Sequence, residues 1–99
     1  MVMTEEKMPP VHPGEILLED FMKPLGISQY RLARAMKVYP RRVNEIVHGQ
    51  RAITADTALR LARYFGTTPE LWMNLQSHFE LERARDEFEA QIMAEVEPL

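Results

Sequence analysis

The stretch 28–51, SQYRLARAMKVYPRRVNEIVHGQR, decides how the rest of this chain is read. Its periodicity predicts two short helices joined by a tight turn. Leu32, Ala33 and Met36 recur at helical spacing in the first helix, and Val43, Ile46 and Val47 do so in the second. Ser28 is an N-cap for the first helix, expected over 29–36. Pro40 suits the first position of the second, expected over 40–48, and Gly49 can take the left-handed conformation that closes it. Lys37-Val38-Tyr39 must then make the turn. Gln29, Leu32, Ala33, Met36, Val38, Val43 and Ile46 fall where a helix-turn-helix motif wants them, and the small Ala33 lets the second helix cross close to the first. Lys37 is a departure, because the motif usually has glycine there. A left-handed backbone at that position costs lysine about 1 kcal/mol relative to glycine.

Working outward, a helix is expected from Pro13 to about Met22. Proline suits its first turn, and Glu15 lies where the helix dipole favours an acid. Ile16, Leu17 and Phe21 form its apolar stripe, with Leu18 and Met22 on the margin, and Pro24 and Gly26 end it. Downstream, Thr54 caps a helix whose buried face is Ala58, Leu59, Leu61, Ala62 and Phe65, with Asp56 in its first turn and Gly66 as its stop. Thr68-Pro69-Glu70 repeats that opening. The next helix carries Leu71, Trp72, Leu75 and Phe79 into the core, with Trp72 as a core anchor. No strand pattern and no internal repeat is found. The reading is all-α: a flexible segment over 1–11, a five-helix domain with the helix-turn-helix over 12–76, and an acidic helical extension over 77–99.

The chain has 99 residues, a formal net charge of −3 and no cysteine. That length suits one small domain of marginal stability, which burial in a dimer would help. Absence of cysteine excludes disulfides and thiolate metal sites. The first ten residues lack the apolar run of a signal peptide, and no stretch approaches the roughly 20 apolar residues of a membrane span. A cytoplasmic location is therefore expected. Charge is strongly segregated: −4 over 1–22, +7 over 23–63 and −6 over 64–99. A basic middle suits a polyanion, and acidic ends suit a basic protein. Catalysis is disfavoured. His12, His48 and His78 share no metal-ligand spacing, and there is no cysteine nucleophile or glycine-rich phosphate loop. No catalytic residue, metal or cofactor is expected.

The basic middle can be resolved into roles. A recognition helix offers the outward side chains of its N-terminal half to the major groove. Arg41, Asn44 and Glu45 share one such face. Arginine pairs with the guanine edge, asparagine with adenine, and glutamate accepts from cytosine. Glu45 has an alternative role, an ion pair that orients Arg41 or Arg42. Gln29, Lys37, Tyr39, Arg42, Gln50 and Arg51, with Arg34 as a further candidate, stand where phosphate contacts would position the duplex. After residue 77, Leu81, Ala84, Phe88, Ile92 and Val96 are spaced by three to four residues on one helical stripe with no core left to bury it. Leu81, Phe88 and Ile92 are thus expected to touch a second copy of the chain, a different protein, or both.

The segments HPGEILLEDFMKPLGIS and PRRVNEIVHGQRAITADTALRLARYFGTTPELWMNLQ, within 12–76, resemble the HigA family of antitoxins in the larger Xre/Cro–λ-repressor-like group. The resemblance covers about two thirds of the chain. It implies a five-helix DNA-binding domain and a homodimer that represses its own operon on a palindromic operator. It implies neutralisation of a small basic toxin of the RelE-like mRNA endonuclease type. It also places the DNA-reading helix on residues 40–48, so that base contact falls to Arg41, Asn44 and Glu45. The other readings are a stand-alone transcriptional regulator and a helical adaptor that binds only protein.

Overall fold

A computed structural model describes residues 8–99. The expected flexible segment 1–11 therefore lies, for residues 1–7, outside the described residues; residues 8–12 have no regular secondary structure. All regular structure among the described residues is helical, in five helices. Helix α1 is compound: an α-helical start at Pro13–Ile16, a π-helical middle at Leu17–Met22 and an α-helical end at Lys23–Leu25. The others are α2 (Gln29–Met36), α3 (Pro40–Val47), α4 (Ala55–Phe65) and α5 (Pro69–Glu95).

The caps explain the boundaries. Ser28 Oγ accepts from the Arg31 N–H at 3.0 Å, Thr54 Oγ1 from Thr57 at 3.4 Å and Thr68 Oγ1 from Leu71 at 3.2 Å. Each satisfies a backbone donor that a helix start leaves unpaired. At α1 that task falls to His12, whose Nδ1 accepts from the Gly14 N–H at 2.9 Å. Lys37 has φ 60° and ψ 42°, the left-handed turn expected of it. It is the one non-glycine residue with positive φ among those described.

Several expectations are corrected. Helix α1 does not end at Met22 but continues through Pro24 to Leu25, closing at Gly26 with φ 64°. The wide π turn just ahead of Pro24, where the Lys23 N–H bonds the Leu18 carbonyl, accommodates a residue that lacks an N–H. The extra residue also rotates the stripe, so Met22 is fully buried beside Leu17. Leu59 is 60% exposed, not buried. The inner face of α4 is Thr57, Ala58, Leu61 and Ala62, and Leu59 lies about 100° round from Ala58. Leu71 likewise sits at the margin of α5, whose inner side is Trp72, Leu75, Gln76 and Phe79. The fifth helix and the acidic extension as far as Glu95 are one uninterrupted 27-residue helix.

The core gathers Leu17 and Met22 from α1, Leu32, Ala33 and Met36 from α2, and Val43 and Ile46 from α3. Ala58, Leu61 and Ala62 of α4, Trp72 of α5 and Ile53 from the preceding loop complete it. Trp72 is the expected anchor; its ring lies 4.9 Å from that of Phe21, and its Nε1–H donates to Thr67 Oγ1 at 2.9 Å. Two further contacts fix α3 in place. A Cβ at Gly14 would lie 1.7 Å from the Ile46 carbonyl oxygen, so glycine alone lets α1 abut the end of α3. The buried Gln76 Oε1 accepts from the Ile53 N–H at 2.8 Å, pinning the loop after α3 to α5.

Candidate nucleic-acid interface

Helix α3 buries Val43 and Ile46 and turns Arg41, Asn44 and Glu45 outward. The Arg41 side chain is 84% exposed, and Tyr39, at the head of the helix, is 85% exposed. Asn44 Nδ2 donates to Gln29 Oε1 at 3.1 Å. That bond joins the first residue of α2 to the outer face of α3, which are 15 positions apart in sequence. One expected reader and one expected phosphate contact therefore stand side by side.

Glu45 is less exposed than its neighbours and is held from both sides. Its Oε2 lies 3.3 Å from Arg41 Nε, and its Oε1 lies 2.8 Å from Arg51 Nη2. The hydrogen bond from Arg51 and then the charges of Arg51 and Arg41 hold its carboxyl below the usual carboxylate range, against the opposing effect of partial burial. Of the two ion pairs expected for Glu45, that with Arg41 forms and that with Arg42 does not; the second partner is Arg51. Arg42 instead turns to Asp56, at 3.0 Å. Tyr39, Pro40, Arg41, Arg42 and Arg51 line one shallow cleft at the head of α3. Lys37 and Gln50 are exposed at its flanks. His48 packs its Nδ1 against the Asn44 carbonyl at 2.7 Å, so this nitrogen carries the proton.

Sequence reasoning missed the support beneath this face. His12 was foreseen only at the opening of α1. Its ring meets Phe79 edge-on at 4.8 Å and bonds the Arg51 backbone, while Arg83 lies 5.4 Å over the same Phe79. Burial, opposed by the backbone bond and aided by the Arg83 charge, lowers the His12 pKa. Gln76 gave no signal either, since a lone glutamine on an amphipathic helix reads as a surface residue. The stripe at Leu81, Phe88 and Ile92 runs from the middle of α5 toward its C-terminal end, each about half exposed. Among the described residues, no three His, Cys, Asp or Glu side chains could together hold a metal ion, and no helix is long and apolar enough to cross a membrane.

A left-handed turn between two crossed helices, with an exposed polar face on the second, defines a helix-turn-helix protein, and residues 18–72 match the helix-turn-helix family model. Over 83 residues the chain is 52% identical to virulence-associated protein I of Dichelobacter nodosus, covering 84% of this chain and 77% of that one. Over 87 residues it is 37% identical to antitoxin HigA-1 of Vibrio cholerae, covering 88% and 82%. A solved structure of Pseudomonas aeruginosa antitoxin HigA with higBA promoter superimposes with a TM-score of 0.89 at 51% identity, covering 91% of this chain and 98% of that one. The chain belongs to the HigA antitoxin family of helix-turn-helix proteins.

Proposed function

We propose that this protein is the antitoxin of a toxin–antitoxin pair and a homodimeric repressor of its own operon, binding operator DNA through α3. The observation that carries this reading is the exposed Arg41–Asn44 face, flanked by Gln29 on one side and Arg51 on the other. The Pseudomonas aeruginosa relative, solved with promoter DNA, supports it. Arg41 and Asn44 read base edges in the major groove. Glu45 sets the direction of Arg41 and remains able to accept from a cytosine amino group. Gln29, Lys37, Tyr39, Gln50 and Arg51 contact the backbone and set the register without reading sequence. Two copies present their recognition helices about 34–36 Å apart, one turn of the duplex. The protein works in the cytoplasm, with no catalytic group or cofactor.

The toxin partner is a small basic protein of the RelE-like type. The net negative charge of residues 64–99 and the exposed Leu81, Phe88 and Ile92 support a protein contact on α5. The test is fluorescence anisotropy on a duplex from upstream of the gene, across salt concentrations, with random DNA as control. Tight, salt-sensitive, sequence-preferring binding is expected; binding no better than to random DNA by the folded chain would overturn the repressor reading. Arg41→Ala is expected to cost roughly 1–3 kcal/mol on the cognate duplex and to relax specificity at one base pair. Equal losses on both duplexes would remove its reading role.

A further inference from the structure

Outside the recognition face itself, the densest polar arrangement near it centres on Asp56, in the first turn of α4. Its Oδ1 accepts from Arg42 Nη1 of α3 at 3.0 Å and from Arg60 Nε of α4 at 2.8 Å. Arg60 also donates from Nη1 to the Met36 carbonyl at 2.8 Å. Met36 is the last residue of α2, immediately before the left-handed Lys37. One carboxylate oxygen therefore joins the reading helix to α4, and through Arg60 to the turn of the helix-turn-helix.

Two facts set Arg42 apart from Arg41 on the same helix. Its side chain is 32% exposed against 84% for Arg41, and its guanidinium is engaged by an acid from another helix. A carboxylate beside a polyanion repels it, so on electrostatics alone an acid here weakens DNA binding. Position, not charge, is what such a group offers.

We infer that Asp56 is a positioning residue for DNA recognition, fixing the orientation of α3 against α4, and that Arg42 acts through Asp56 and not on a phosphate. The inference rests on the DNA-binding reading above. The arrangement is pre-formed, and Thr54 caps α4 through Thr57 without help from Asp56. The helix therefore survives loss of the carboxylate.

The full-length protein, Asp56→Asn, Arg42→Gln and the double variant are titrated by anisotropy against the upstream duplex and a random duplex over a salt series, alongside thermal unfolding. Asp56→Asn removes a negative charge, yet its cognate affinity is expected to fall roughly three- to tenfold while random-duplex binding holds or tightens. Arg42→Gln is expected to lose the same preference with its salt slope unchanged, and the double variant to lose no more than either single one. Unfolding midpoints within a few degrees of the parent's would separate this from simple loss of fold, since exposed pairs contribute little to stability. Tighter cognate binding by Asp56→Asn would overturn the inference. So would a slope for Arg42→Gln flattened by about one unit with the preference intact, the mark of a lost phosphate contact. A parent protein with no cognate preference would overturn the DNA reading and this inference with it.

Discussion

Lys37 and Gly14 show two residue types used against and with their conformational habits. Lysine at φ 60° stores strain at the turn but sets a cation beside the recognition helix. Lys37→Gly is expected to raise stability by about 1 kcal/mol in denaturant unfolding while weakening DNA binding on every sequence. Gly14 has no such freedom to give. An added Cβ 1.7 Å from the Ile46 oxygen meets backbone, which cannot rotate away. Gly14→Ala is expected to destabilise by about 1–3 kcal/mol, because α1 must be levered off the end of α3. An unfolding midpoint equal to the parent's would show that the contact relaxes at no cost. Lys37 was legible in the sequence, since the motif names its position. Gly14 was not, because the neighbour that forbids a side chain lies 32 positions away.

Among the elements, α3 depends on two supports that it does not itself supply. One is Gln76 of α5, whose amide oxygen satisfies the Ile53 N–H in the loop after α3. Gln76→Ala leaves that buried donor unpaired and is expected to cost about 1–3 kcal/mol by denaturant unfolding. Unchanged stability would mean that water replaces the amide. The other support is the His12–Phe79 contact, which places α5 against the start of α1 and the backbone of Arg51. The helices were read from caps and stops, and Ser28, Thr54 and Thr68 act as those local signals required. The misplacements have a common cause. Leu59 and Leu71 are apolar and adjacent to buried positions, but hydrophobicity does not say which neighbour faces the core. The π turn in α1 shifts the phase of Met22 by a residue, and no residue type announces it.

For the whole molecule, acid should act in two ranges. His12 is held neutral by burial, so its pKa is lower folded than unfolded. The unfolded chain then binds more protons as pH falls below about 6.5, and stability drops until the folded pKa is reached. Glu45 and Asp56 are depressed by their arginine partners. Their contributions are present above the ordinary carboxylate range and are lost as pH falls through their folded values. Thermal unfolding followed across pH should show both declines, and His12→Asn, which keeps a cap, should remove the upper one. A decline between pH 7 and 5 that survives in His12→Asn would place its origin elsewhere. The helix-turn-helix, the order of the helices and the outward residues of 40–48 are written locally, because caps, left-handed turns and periodicity act over a few residues. The pairings of that face arise only once the helices are packed: Asn44 with Gln29, Glu45 with Arg41 and Arg51, Arg42 with Asp56. Except for the one-turn pair of Arg41 and Glu45, these partners come from separate parts of the chain. Their pairing depends on the angle at which the helices cross, and that angle is set by core packing.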